Sequence, residues 1–243
     1  MNFSIRRVNA LCKKEIKDFL KNTNVSVVCA LPILISIILS KMAKENIAVN
    51  TMHKTEILSS CLNINYVMIS SFVIGMLIAE EKEKNTLRTL MLSAVSPLEF
   101  LTGKALITLF VSLLNNGIMF FIIGIDKTYF GLYMLLTTLV VFTMIEIGAL
   151  LGIISQNQMA MSVVGLPIIG IFLIVPMLAK TNKILGRMAR LLPNNNMDIL
   201  LEKIFKEEQI GTESVYNILV ILIWIIFAAA AFAYAYNKKG VDK

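Results

Sequence analysis

The chain has 243 residues, a net charge of +7, 57% hydrophobic and only 16% charged residues, and a mean hydropathy of +0.76. A water-facing surface needs about a quarter charged residues, so these figures exclude a soluble domain and set the class as a polytopic membrane protein. The positive balance does not imply a nucleic-acid partner, because Lys and Arg collect on the cytoplasmic side of membrane proteins for topological reasons.

The N-terminal segment, residues 3–22, places Ile5, Val8, Cys12, Ile16, Phe19 and Leu20 at helical spacing with Arg and Lys between them. That period predicts an amphipathic helix lying in the headgroup layer with its apolar side down. The first long apolar run begins only near Val25, behind this charged segment, which is the wrong order for a cleavable signal peptide. Cys12, Cys29 and Cys61 show no motif spacing and read as small hydrophobes.

Six runs approach the roughly 20 residues that a helix needs to cross a bilayer. They are expected at 25–43, 57–79, 97–124, 131–154, 159–179 and 214–236. With the N-terminus inside, 13 of the 23 basic residues fall on the cytoplasmic side. Six precede the first span and three follow it, so both termini are expected in the cytoplasm.

Between the second and third spans stands "AEEKEKNTLRTLMLSAVSPLEFLTGK". The charges from Glu80 to Lys84 extend the second span beyond the lipid, and a break is expected at Asn85-Thr86. On a helix over 85–95, Leu87, Leu90, Met91, Ala94 and Val95 share one side; Thr86, Arg88, Thr89 and Ser93 share the other. This is a lateral helix on the membrane surface. "SPLE" then supplies a capping box, with Ser96 as N-cap, Pro97 at the first helical position and Glu99 at the third.

This hairpin resembles the signature of ABC-2 type transporter permeases, which runs roughly E-x-E-x-G-T-L-x-x-L-x-x-x-P-V-S/P-x-x-E-x-x-x-G-K. Glu81, Glu83, Thr86, Leu87, Leu90, Val95, Ser96, Glu99, Gly103 and Lys104 fall on matching positions. Asn85 stands where Gly is usual, tolerable because Asn also accepts left-handed dihedrals. Ala94 stands where Pro often precedes the Val. The resemblance implies an N-terminal elbow helix, a coupling helix after the second span and outer-leaflet helices before the sixth. It further implies that Glu81, Glu83, Thr86, Leu87, Arg88 and Leu90 couple the chain to a separate ATPase subunit, present in two copies. A second permease, identical or a sister, completes the transporter in the cell membrane. ATP and magnesium belong to that ATPase, since this chain has no G-x-x-x-x-G-K-[ST] and carries no cofactor of its own.

Beyond the fourth span, "SQNQMAMS" at 155–162 forms a short uncharged inner loop that offers a minor second contact. Residues 181–210 hold two amphipathic pieces too short to span, separated by a turn at "PNNN" and stopped by Gly211. They are expected to rest on or dip into the outer leaflet. Glu146 is the one acid well inside a span, a candidate for substrate or proton binding or for hydrogen bonding to Asn115 or Asn116. Gly148 and Gly152 form a GxxxG that permits close helix packing. Pro167 and Pro176 are candidate hinges in the fifth span. His53 is the sole histidine and no G-x-S-x-G occurs, which disfavours an intramembrane hydrolase.

The fold expected is thus all-α, with six transmembrane helices, an amphipathic N-terminal helix, a lateral helix after the second span and two outer-leaflet helices before the sixth. The function expected is export of an amphipathic drug, peptide or lipid-like substrate. The alternatives are an ion- or proton-coupled secondary transporter using Glu146, which normally shows inverted repeats not apparent here, or a non-transporting scaffold.

Overall fold

A computed structural model describes residues 4–21, 23–44, 54–86, 96–179, 181–208 and 211–239. The lateral helix expected over 85–95 therefore lies outside the described residues, except for Asn85 and Thr86. Among the described residues every regular element is helical, and six helices are long and apolar enough to cross a membrane.

An amphipathic helix α1 (Ile5–Lys21) leads into the first span, α2 (Thr23–Lys44). The second span is one continuous rod of α3 (Lys54–Asn65), a π-helical segment (Tyr66–Val73) and α4 (Ile74–Glu83). Then come α5 (Pro97–Ile123), α6 (Phe130–Ile154) and α7 (Gln158–Leu178). Two short helices, α8 (Lys183–Ala189) and α9 (Pro193–Phe205), precede the last span, α10 (Thr212–Lys239).

The core runs along the second and fourth spans. Helix α6 packs on α4, the π segment, α5, α9 and α10. Two contacts make this possible. A Cβ on Gly148 would lie 2.1 Å from the Ser71 carbonyl oxygen, and one on Gly152 would lie 2.7 Å from the Gly75 carbonyl. Only the missing side chains let the backbones of α6 and the second span approach so closely, so the GxxxG is a packing surface within this chain. On the other side, Met161 of α7 fills the space above Gly75.

The π segment has no local cue in the sequence. It is held from α5: Asn65 Nδ2 donates to the Ser112 carbonyl at 3.0 Å and to Asn116 Oδ1 at 2.5 Å, and Ser70 Oγ donates to Ser112 Oγ at 3.0 Å. A wider turn shifts the phase of the residues after it. The phase found here turns Gly75 toward α6 and Glu81 toward α1 and α5.

Three expectations need correction. The "PNNN" stretch is no turn. Pro193 occupies the first turn of α9, where its missing N–H costs nothing, and Asn196 Nδ2 donates back to the Arg190 and Leu192 carbonyls at 2.9 and 2.7 Å. Gly211 does not end that helix either; it stops at Phe205 and the chain turns through Glu207, with φ 55°. The apolar stripe of α1 is also displaced. Among the described side chains of α1, Val8, Leu11 and Glu15 are buried, whereas Ile5 and Ile16 are exposed. Helix α9 dips into the bundle, burying Met197, Leu200 and Leu201 against the core.

Candidate functional site

The last turn of α4, "EKEK" at 81–84, is the root of the hairpin. Successive residues on a helix point about 100° apart, so four consecutive charges face four directions. Each finds a different neighbour.

Glu81 turns inward. It accepts from Lys104 Nζ of α5 at 3.2 Å and from Lys14 Nζ of α1 at 3.0 Å, and the Thr86 hydroxyl donates to both its carboxylate and its carbonyl. Lys104 Nζ also donates to Glu15 Oε2 of α1 at 2.7 Å, and Lys14 lies 3.7 Å from Glu15. The Lys104 ammonium sits 5.2 Å from the Phe100 ring centroid. Two acids and two bases thus form a neutral cluster in which Lys104, Glu15 and Glu81 are buried. Isolated charges would not be stable there; mutual pairing holds them. Beside the cluster, a Cβ on Gly103 would stand 3.1 Å from Leu11 Cβ, so this glycine lets α1 lie close enough for Glu15 to reach Lys104.

Lys82 and Glu83 face the other way and grip the loop between α6 and α7. Lys82 Nζ donates to the Ile153 carbonyl at 2.7 Å, while Glu83 Oε2 accepts from the Gln158 backbone N–H at 3.1 Å. A cation therefore meets the C-terminal end of one helix and an anion the N-terminal end of the next, the signs that both helix dipoles favour. Asn157 completes the second end as N-cap, accepting from Ala160 N–H at 2.8 Å. Lys84 pairs with Glu80 one turn back. Asn85 then ends the rod with φ 56°, the left-handed conformation anticipated at this position.

The far side of the hairpin begins with the expected capping box. Ser96 Oγ accepts from Glu99 N–H, and Glu99 accepts from Ser96 N–H at 2.8 Å. The same Glu99 carboxylate takes Ser4 N–H at 2.6 Å and the Arg7 guanidinium at 2.9 to 3.1 Å. The hydrogen bond to Glu99 raises the Arg7 pKa further above its ordinary value. One buried acid thus caps α5 and docks the start of α1. Burial, with Glu15 nearby, likewise pushes the Cys12 thiol up, and its Sγ contacts the Gly103 carbonyl at 3.7 Å.

Of the residues the sequence singled out, Glu81, Glu83 and Thr86 come together at this root. Leu87, Arg88 and Leu90 lie outside the described residues. Asn115 and Asn116 do not join Glu146. Asn115 Nδ2 donates to the Cys29 carbonyl of α2 at 2.7 Å, while Asn116 accepts from Asn65 and its carbonyl accepts from Tyr133 Oη at 3.0 Å. Glu146 is half-buried on α6, and its Oε2 is buried without a hydrogen-bond partner. Pro167 and Pro176 lie inside α7, which runs through both as a single helix. Among the described residues, no group of His, Cys, Asp or Glu could hold a metal ion.

Sequence reasoning passed over Arg7, Lys14 and Glu15. One clue was present. Glu15 stands four residues after Leu11 and four before Phe19, where the apolar period asks for a hydrophobe, and Lys104 is the one charge in the apolar run from Phe100 to Leu114. Two lone opposite charges on apolar faces are each costly alone and stable as a pair.

No curated protein gives a significant match to this sequence. A family model described as "ABC-2 family transporter protein" matches residues 35–233, a range that takes in the hairpin, its root, four of the six spans whole and parts of the first and last. The chain belongs to the ABC-2 family of transporter proteins and is a multi-pass membrane permease of an ABC transporter.

Proposed function

We propose that this chain exports an amphipathic substrate using ATP hydrolysed by a separate pair of ATPase subunits, each gripping the 85–95 segment of one permease in a permease dimer. Both termini face the cytoplasm, in the cell membrane. The observation that supports this reading best is the convergence at the hairpin root. Glu81, Lys82 and Glu83 tie one helical turn to α1, to α5 and to the α6–α7 loop. A push on the lever beyond Asn85 is therefore shared at once among four of the spans and the N-terminal helix. In this reading Arg88, Leu87 and Leu90 meet the ATPase, while Glu81, Glu83 and Thr86 transmit the movement. A cleft lined by Val25, Val28, Phe72 and Met76, together with Glu80 and Gln158, is apolar apart from those two side chains and suits amphipathic cargo.

The test is co-purification with the ATPase partner, followed by ATP-dependent uptake into inverted vesicles. Arg88→Glu is expected to abolish permease-stimulated ATP hydrolysis while the permease remains folded and inserted. Stimulation and uptake equal to wild type in this variant would remove the segment from the coupling path. A rival reading has one observation in its favour, the buried, unpartnered Oε2 of Glu146. It is a proton-driven transporter, and it requires flux that survives ATP depletion and collapses with an uncoupler.

A further inference from the structure

At the end of the bundle opposite the hairpin, α8 folds back against the end of α7. A Cβ on Gly186 would lie 3.0 Å from the Ala179 carbonyl oxygen, so the close approach depends on that glycine. Ala189 and Leu192 point into the bundle and are buried. The opposite side carries two adjacent stripes. Ile184, Met188 and Leu191 are 68%, 47% and 62% exposed. Beside them Lys183, Arg187 and Arg190 are exposed as well. The backbone bearing both stripes is pinned from behind. Trp224 Nε1 donates to the Leu191 carbonyl at 2.6 Å, and Asn196 Nδ2 and Tyr216 Oη donate to the Arg190 carbonyl at 2.9 and 3.4 Å.

Three other cations at this end lie beside acids, and Lys54 donates to the Gly124 carbonyl. Lys203 pairs with Glu213 and Lys206 with Glu202, and Arg190 acts on Glu213. Among the described residues, Lys183 and Arg187 have no ion-pair partner. On the orientation proposed above they also lie on the non-cytoplasmic side, within ten residues of the end of a span, where basic residues are disfavoured.

We propose that α8 is a docking face for anionic phospholipid headgroups of the leaflet at this end. The apolar stripe enters the acyl boundary beside the last turn of α7, and Lys183 and Arg187 reach headgroup phosphates on the flank. A rigid helix with apolar and basic stripes side by side, located at the end of a span, matches an interface with charged lipid; a soluble partner would give no reason for three bare aliphatic side chains there.

The test uses the full-length chain in nanodiscs of phosphatidylcholine, with or without phosphatidylglycerol. Native mass spectrometry counts retained lipid, and hydrogen exchange follows residues 183–191. The wild-type protein should retain phosphatidylglycerol preferentially, with added protection over 183–191. Each charge near an anionic surface is worth about fivefold in affinity, so the double variant Lys183→Gln, Arg187→Gln should lose roughly 25-fold. Lys183→Arg should keep the preference, and Lys206→Gln, whose lysine is already paired, should leave it unchanged. Equal retention by the double variant and the wild type would overturn the proposal. So would full protection by soluble glycerol phosphate in phosphatidylcholine discs, which would mark a small-phosphate site. Neither readout involves ATP, so failure here leaves the exporter reading intact.

Discussion

Lys104→Met is the most direct probe of the hairpin root. Methionine keeps an unbranched side chain of similar volume, one atom shorter, and removes its charge. In the wild-type protein the Lys104 side chain is 2% exposed and bridges Glu15 and Glu81, themselves 6% and 11% exposed. Removing one member of a buried pair costs about 3–5 kcal/mol, because the remaining charge is left uncompensated. Lys14 stays within 3.0 Å of Glu81 and 3.7 Å of Glu15, which argues for the lower end. About 3 kcal/mol corresponds to a roughly 150-fold rise in the population with α1 undocked. Hydrogen exchange measures this directly: amides of α1 should lose protection by that factor, while amides over 107–120 of α5 keep theirs. The triple variant Lys104→Met, Glu15→Gln, Glu81→Gln should restore most of the protection, since no buried charge then remains unpaired. Unchanged α1 protection in Lys104→Met would refute the reasoning, because α1 would then be held by apolar contact alone.

Ser96→Ala removes the N-cap of α5 and should weaken its first turn by about 1 kcal/mol, seen as faster exchange of the 98–101 amides. Gly148→Ala places a Cβ 2.1 Å from a backbone oxygen, which only a shift of α6 relieves, so the thermal midpoint should fall by an amount matching about 1–3 kcal/mol. Gly131→Ala, with nothing within 4 Å of its Cβ, should leave the midpoint level or raised. Glu146→Gln should leave both folding and ATP-driven transport unchanged; loss of transport from a folded Gln variant would make this carboxylate part of the mechanism. Asp126 accepts from Thr128 N–H and Oγ1, which lowers its pKa below the ordinary aspartate range. Its contribution to the 127–129 turn is therefore full at neutral pH and is lost as pH falls from about 4 downward, measurable as exchange of the Thr128 amide.

What the sequence made legible was local. The capping box at Ser96–Glu99 and the left-handed Asn85 each depend on a few adjacent residues, and both stand where the motif placed them. The six spans follow from length and apolarity, and among the described residues six helices are long and apolar enough to cross a membrane. The ion cluster was illegible because it needs the rotational setting of α1 and α5, which no single segment encodes. Glu81 reads from sequence as a surface charge on a cytoplasmic extension; only the phase set upstream by the π segment turns it inward. That segment is itself specified from outside, by Asn65 and Ser70 bonding across to Ser112 and Asn116. The "PNNN" error has a different origin. Pro followed by Asn suits a turn and equally a helix start, and the apolar run after it was the deciding feature.

The alternation at 81–84 is better understood from its neighbours than from topology. Charges placed only to keep a loop in the cytoplasm would be all basic, since acids contribute little to orientation. Here the signs follow the partners. Glu81 meets Lys14 and Lys104, Lys82 meets the carbonyl end of α6, and Glu83 meets the amide end of α7. No single-sign strip could satisfy all three, because a helix C-terminus and a helix N-terminus demand opposite charges. One turn of helix is consequently bonded in three directions, and it is the turn from which the 85–95 segment departs. A lever anchored at one contact would deform its own base when pushed. On the function proposed above, an anchor shared between α1, α5 and the α6–α7 loop would pass a displacement of that segment to the spans.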